Sequence, residues 1–305
     1  MRMNRRRFLR DAAVLTAGMG LAPAWVPRVA EALERAGRER LAVLWIQGQS
    51  CSGCSVSLLN TERPGPAELL TRYVSLWFHP TLSAATGERA RQVVDRAVEA
   101  GGYVLAVEGS VPVGMPLACT VGDDTFDRVL VRTARRARAV LSVGTCASFG
   151  GIPAARSNPT GARAVADVLA DAGVRRPLVR IPGCPAHPYW VVGSVLYVAA
   201  GLSPALDEKG RPAVFFGRLV HDRCPRFPDY EREHFARFPG DEGCLFRVGC
   251  QGVVTHADCP WRGWNGGTNW CVRAGAPCVG CARPLFARDP EYPFFRLHED
   301  RIQTG

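Results

Sequence analysis

Cysteine placement limits what this chain can fold into more than any other feature. Seven of the twelve cysteines fall in residues 216–305, a stretch rich in Gly and Pro with little regular periodicity. A segment of that kind cannot rely on a conventional apolar core, so cross-links must hold it, either disulfides or metal clusters. The spacings there are His221-x₂-Cys224, Cys244-x₅-Cys250, Cys259, Cys271 and Cys278-x₂-Cys281. Within TNWCVRAGAPCVGC (268–281), Cys278 and Cys281 form a metal grip, with Cys271 seven residues upstream of it. Cys271 reads equally as a third ligand, a disulfide partner or a small buried hydrophobe.

Upstream, from about residue 41 to 200, the pattern alternates strand and helix. Candidate strands are LAVLWIQ (41–47), YVSLWFH (73–79), YVLAVEG (103–109), AVLSVGT (139–145) and PLVRIPG (177–183). Between them lie the helical stretches GERARQVVDRAVEAGG, FDRVLVRTARRAR and GARAVADVLADAG. Short apolar strands separated by amphipathic helices imply a mostly parallel sheet covered on both faces. Sites in such sheets collect beyond the carboxyl ends of strands. Cys51 and Cys54 follow the first candidate strand, Cys146 the fourth and Cys184 the fifth, so three distant loops converge on one rim. Gly and Pro around them (GQSCSGCS, GTCASFGG, PGCPAHP) let backbone amides approach an anionic sulfur cluster. Cys51-x₂-Cys54 alone also fits a redox disulfide; two more cysteines at equivalent strand ends favour a four-thiolate site.

Three chemistries suit these thiols. Zinc accepts Cys₄ and Cys₃His tetrahedra, disulfides suit exported proteins, and iron–sulfur clusters use the same soft ligands. The ligand count is sufficient for three sites, which favours iron–sulfur over zinc without excluding it.

The N-terminus, MRMNRRRFLRDAAVLTAGMGLAPAW, has a basic region, an apolar stretch and the small residues Ala22-Pro23-Ala24. That layout reads as an export signal, and Arg5-Arg6-Arg7-Phe8-Leu9 resembles a twin-arginine address. No later segment offers about 18 uninterrupted apolar residues, so no membrane span is expected. Residues 1–36 carry seven Arg against three acids and supply +4 of the net +10. The remaining Arg are scattered, without a basic face interleaved with aromatics, which argues against a nucleic-acid partner.

Taken in order, the motifs VLWIQGQSCSGCSVSLLN (43–60), YVSLWFHPT (73–81), VEGSVP (107–112), GTCASFGGIPAA (144–155), PGCPAHP (182–188), H-x₂-C-P (221–225) and CPWRGWNGGTNWCVRAGAPCVGC (259–281) resemble the small subunit of periplasmic nickel–iron hydrogenases over almost the full chain. The resemblance implies an export signal over 1–36, a flavodoxin-like α/β domain over 37–215 and a small irregular cysteine-rich iron–sulfur domain over 216–305. It implies three clusters: a proximal [4Fe-4S] on Cys51, Cys54, Cys146 and Cys184, a distal [4Fe-4S] on His221, Cys224, Cys244 and Cys250, and a medial cluster on Cys259, Cys278 and Cys281. Many relatives have proline at the position of Cys271 and a medial [3Fe-4S]. Three four-ligand clusters that include His221 need eleven cysteines, the number left when Cys119 is set aside, so Cys271 is expected to make the medial cluster a [4Fe-4S].

The same resemblance implies a large subunit that bears the nickel–iron centre where hydrogen is split, with this chain as the relay of a heterodimeric, acceptor-type or cytochrome c3-type hydrogenase. Glu108 in VEGSVP is a candidate for tuning hydrogen bonds around the proximal cluster. Gly53 and Gly151 stand where oxygen-tolerant members carry two extra cysteines, so a six-cysteine proximal cluster is not expected. The ending EYPFFRLHEDRIQTG, without the membrane helix of such members, implies a soluble or peripheral periplasmic enzyme whose acceptor is a multihaem cytochrome c. A hydrogen-sensing subunit and a zinc-stapled secreted binding protein are the alternatives. Cys119 is expected to be a buried thiol, and His187 a residue of the packing around Cys184. Trp261, Trp264 and Trp270 are expected to wall the clusters from water.

Overall fold

The computed structural model describes residues 5–18, 23–38, 40–155, 157–199 and 201–288. Five strands form one parallel sheet: β1 (Leu41–Gln47), β2 (Val74–Phe78), β3 (Val104–Glu108), β4 (Ala139–Val143) and β5 (Leu178–Ile181). Their spatial order is β2-β1-β3-β4-β5, the flavodoxin-like order, with the topological switch between β1 and β3. All five expected strands are present, each trimmed by a residue or two at its ends except β1.

Eight helices are used below: α1 (Arg5–Gly18), α2 (Val26–Arg38), α3 (Gly53–Leu58), α4 (Gly87–Ala100), α5 (Phe126–Arg136), α6 (Gly144–Phe149), α7 (Val165–Asp171) and α8 (Pro188–Ala199). Because side chains alternate across a strand, the central strands feed two cores. Leu44, Ile46, Leu105, Val107 and Val140 pack with Val94, Phe126, Leu130 and Val168 from α4, α5 and α7. Val43, Trp45, Val104, Ala106, Leu141 and Ile181 face the other way, onto Leu33 of α2 and Trp190 and Val191 of α8. Strands covered on both faces are apolar almost throughout, and every residue of β3 and β4 is buried.

The cysteine-rich region departs from expectation because it does share an apolar core. Phe216, Val220, Ala236, Leu245, Ala257, Trp270 and Val272 join the cluster that covers the α8 face of the sheet. The boundary expected at 215/216 falls inside the short helix Ala213–Phe216, between two fully buried phenylalanines. Its helices are only single turns, since Gly and Pro interrupt any longer period. The N-terminal segment read as an export signal includes α1, whose Ala12 packs into the same core as Val29 and Leu33 of α2. Ala22 and the ending at 291–305 lie outside the described residues. Among the described residues, no helix is long and apolar enough to cross a membrane.

Two boundaries moved for identifiable reasons. Residues 161–164, read as the start of a helix, instead include Ala162 and Arg163, which pair antiparallel with Pro112 and Val111. The fourth candidate strand was drawn to Thr145, but Gly144 already opens α6, which places Cys146 in a helical turn and not in a loop.

Candidate metal centres

Strand register brings the first site together. Gln47, Glu108, Val143 and Ile181 lie side by side at the carboxyl rim of β1, β3, β4 and β5. Cys51 and Cys54, Cys146 and Cys184 follow within a few residues of three of those ends. Their thiols are mutual neighbours: Cys54 feels Cys146 and Cys184, Cys146 feels Cys184 and Cys51, and Cys184 feels Cys51. Space around them is made by glycine. A Cβ at Gly144, where φ is +86°, would stand 2.5 Å from the Cys54 sulfur. One at Gly151, where φ is +54°, would stand 2.8 Å from that of Cys146. Both positions need a residue without a side chain and tolerant of left-handed backbone.

Glu108 is 2% exposed and has no cationic partner among its hydrogen bonds. Its carboxylate accepts from Cys54 N (3.0 Å) and Ser55 N (3.4 Å) on one oxygen. The other oxygen accepts from Ser55 Oγ, Gln47 Nε2 and Trp45 Nε1 at 2.5, 3.0 and 3.3 Å. It thereby clamps the first turn of α3, which carries Cys54, to the switch point of the sheet. His79 completes the network through Ser55 Oγ at 3.0 Å, and burial lowers its pKa despite the Glu108 charge.

A second group gathers Cys224, Cys244 and Cys250, each within electrostatic reach of another, around a small cavity that His221 also lines. His221 Nε2 is buried and has no hydrogen-bond partner, an orphan that a metal ion would satisfy. Arg226, which the sequence reading passed over, donates to the Asp241 and Gly243 carbonyls at 2.8 and 2.7 Å. Its positive charge lowers the pKa of all three thiols against the upward push of burial.

The third group holds Cys259, Cys278 and Cys281. The Cys271 thiol acts electrostatically on Cys278 and Cys281, and also on Cys250 of the second group. Burial, followed by the neighbouring thiols, pushes Cys281 up to about 12 and Cys278 higher still. Such thiols ionise only when a cation compensates them. Backbone N–H groups two residues downstream point at four sulfurs, from Arg226 to Cys224, Phe246 to Cys244, Gly252 to Cys250 and Gly280 to Cys278. The Trp264 indole hydrogen-bonds the Cys259 thiol, a second contact missed in the sequence because nothing in its spacing marks it.

The donor sets bear on the three chemistries. All twelve cysteines are free thiols. Four Cys, or three Cys and one His, are suitable ligand sets for a polynuclear iron–sulfur core.

Other expectations met mixed outcomes. Cys119 is only partly buried and packs at the edge of the α5 core, away from the three groups. His187 is buried, with Nε2 2.9 Å from the Gly263 carbonyl and its ring against Trp264 and Trp190. Trp270 is buried and Trp264 half-buried, whereas Trp261 is 56% exposed in this chain.

Comparison with known proteins identifies the family. The family of NiFe/NiFeSe hydrogenase small subunits, in its C-terminal part, matches residues 216–295, and the NADH ubiquinone oxidoreductase 20 Kd subunit family matches residues 51–198. The periplasmic [NiFeSe] hydrogenase small subunit of Desulfomicrobium baculatum is 38% identical over 315 residues, spanning 97% of this chain and 99% of that protein. The periplasmic [NiFe] hydrogenase small subunit of Solidesulfovibrio fructosivorans is 38% identical over 301 residues, 96% of this chain and 93% of its own. The crystal structure of a reduced, active Ni-Fe-Se hydrogenase from Desulfomicrobium baculatum superposes with a TM-score of 0.79 at 40% identity, covering 83% of this chain and 98% of that one. Kinship thus runs through both the sheet and the cysteine-rich region, and the chain belongs to the small subunits of nickel–iron and nickel–iron–selenium hydrogenases.

Proposed function

We propose that this chain carries electrons between the nickel–iron centre of a large subunit, where H₂ ⇌ 2H⁺ + 2e⁻, and an external acceptor. It would do so through three [4Fe-4S] clusters. Cys51, Cys54, Cys146 and Cys184 hold the proximal one, Cys259, Cys271, Cys278 and Cys281 the medial, and His221, Cys224, Cys244 and Cys250 the distal. Each cluster, when bound, supplies one-electron chemistry at a potential set by its ligands, hydrogen bonds and exposure. The protein's part is to hold the thiolates, aim N–H groups at their sulfur, and keep the inner sites dry. Glu108 orients the Cys54 turn, and Arg226 offsets charge at the distal site.

One observation supports this reading: the medial cysteines make contact with a cysteine of each of the other two groups. The Cys278 amide, in the medial group, donates to the Cys250 sulfur of the distal group at 3.3 Å. The Cys281 thiol, also medial, meets the backbone of Cys184 in the proximal group. His221 at the far end suits an outlet, since neutral His raises a cluster's potential relative to thiolate. A multihaem cytochrome c is the proposed acceptor and the periplasm the proposed setting, in keeping with the periplasmic relatives and with Arg5-Arg6 read as a twin-arginine address.

The test is co-purification of the native complex, with iron and zinc analysis, EPR of the reduced clusters and hydrogen-dependent dye reduction. Iron sufficient for three clusters and hydrogen oxidation are expected. A zinc-only preparation without broad visible absorbance, or a fully loaded complex inert to hydrogen, would reject the reading.

A further inference from the structure

The junction between the medial and proximal groups contains a side chain that belongs to neither ligand set. Thr145, 1% exposed, lies between Gly144 and Cys146 at the start of α6. Its hydroxyl donates to the carbonyl oxygen of Cys281 and accepts from Gly183 N at 2.8 Å. Its own amide donates to the Gly183 carbonyl at 2.9 Å. One residue thus makes three hydrogen bonds, two to the Gly183–Cys184 loop and one to the Cys278–Cys281 loop. The junction between the medial and distal groups differs: Cys278 N meets the Cys250 sulfur, and Gln251 N meets the Cys278 carbonyl at 2.7 Å. Ligands and main chain suffice there.

We infer that the Thr145 hydroxyl is the positioning group that fixes the medial ligand loop against the proximal one, and so sets the rate of electron transfer between those two clusters. The inference rests on the three-cluster assignment above. In the step concerned, one electron leaves one cluster as it enters the other, and no bond or proton changes hands. Such transfer depends steeply on separation and on the bonded path between the centres. A hydroxyl that donates to one loop while accepting from the other holds both at a set distance. It also adds a hydrogen-bonded path, Cys281 C=O···H–O–Thr145, to the contact between the Cys281 thiol and the Cys184 backbone. Because the hydroxyl is buried and satisfied on both sides, its loss leaves Gly183 N and the Cys281 carbonyl each short of a partner.

The experiment uses the complete heterodimer with Thr145→Val, which keeps the shape and removes the hydroxyl, beside Thr145→Ser, which keeps the hydroxyl. Two readouts are independent of turnover: iron per complex, and the EPR magnetic interaction between the reduced proximal and medial clusters. Two more separate chemistry from relay: hydrogen–deuterium exchange, which needs only the nickel–iron centre, and hydrogen-driven dye reduction, which needs the whole line.

With iron unchanged, Thr145→Val is expected to alter the magnetic interaction and slow dye reduction on the order of tenfold, the lower end for loss of an outer-shell partner. Exchange should stay at the wild-type rate, and Thr145→Ser should restore both affected readouts. Should Val prevent cluster loading, Thr145→Ala against Thr145→Ser gives the same contrast. A loaded hydroxyl-free variant with wild-type coupling and dye reduction, or a Ser variant as slow as Val, overturns the inference alone. A wild-type complex lacking the iron for three clusters overturns the assignment on which it rests.

Discussion

At the scale of single residues, sulfur and glycine decide most. Cys271 lies seven residues from the nearest other cysteine of its group, yet its charge reaches Cys250, Cys278 and Cys281. As fourth medial ligand it should hold a [4Fe-4S] core. Cys271→Pro is then expected to yield a [3Fe-4S] cluster of higher potential, seen as a new EPR signal in the oxidised complex; a spectrum identical to wild type would make Cys271 a bystander. Gly144 offers a steric test. A methyl group there would overlap the Cys54 sulfur in backbone that L-residues adopt at a cost of roughly 1–3 kcal/mol. Gly144→Ala should therefore lose iron equivalent to one cluster, with the medial and distal EPR signals retained.

At the scale of elements, the segment joining the sheet to the cysteine-rich region carries part of the pH response. His187, just before α8, is pushed down to about 3 by burial and by the nearby Arg262 guanidinium, against the pull of the Gly263 carbonyl. The folded chain keeps this imidazole neutral, while the unfolded chain takes up a proton from about pH 6.5 downward. Its contribution is complete above that pH and drains as the pH falls toward 3, by up to about 1.4 kcal/mol per pH unit. The rate at which acid bleaches the cluster absorbance should rise accordingly, and His187→Gln should flatten the dependence below about pH 6. A variant as acid-sensitive as wild type would place the response elsewhere. The Glu108 network holds α3 by saturating one carboxylate with donors, and its His79, lowered by burial as well, adds a response of the same sign.

For the whole molecule, two readings of the sequence part company. Alternating apolar strands and amphipathic helices foretold the five strands, their parallel arrangement and the rim on which Cys51, Cys54, Cys146 and Cys184 meet. The cysteine spacings predict a separate, cross-linked unit from 216 onward, yet its Phe216, Leu245 and Trp270 complete the core over α8. Burial of each large apolar side chain contributes about 1.5–3 kcal/mol, so neither part is expected to stand alone. A chain ending at residue 215 should be recovered as insoluble protein even when its large-subunit partner is co-expressed; a soluble, monodisperse product would show that the sheet needs no such cover.

The division between what sequence and tertiary structure decide follows from the range of each interaction. Strand periodicity, helix faces and short ligand spacings are local patterns, and the sequence determined them unaided. Thiol chemistry is also intrinsic, so twelve cysteines with Gly and Pro around them already pointed to metal, and their order along the chain matched a family. What lay beyond reach were contacts made by residues with no distinctive spacing: Arg226 beside the distal thiols, Trp264 on Cys259, and Thr145 linking two ligand loops separated by about a hundred residues. Hydrogen bonds and charge effects act over a few ångströms in space whatever the separation in sequence. Only the folded sheet, by aligning its strand ends and sharing its core with the last third of the chain, brings those partners into range.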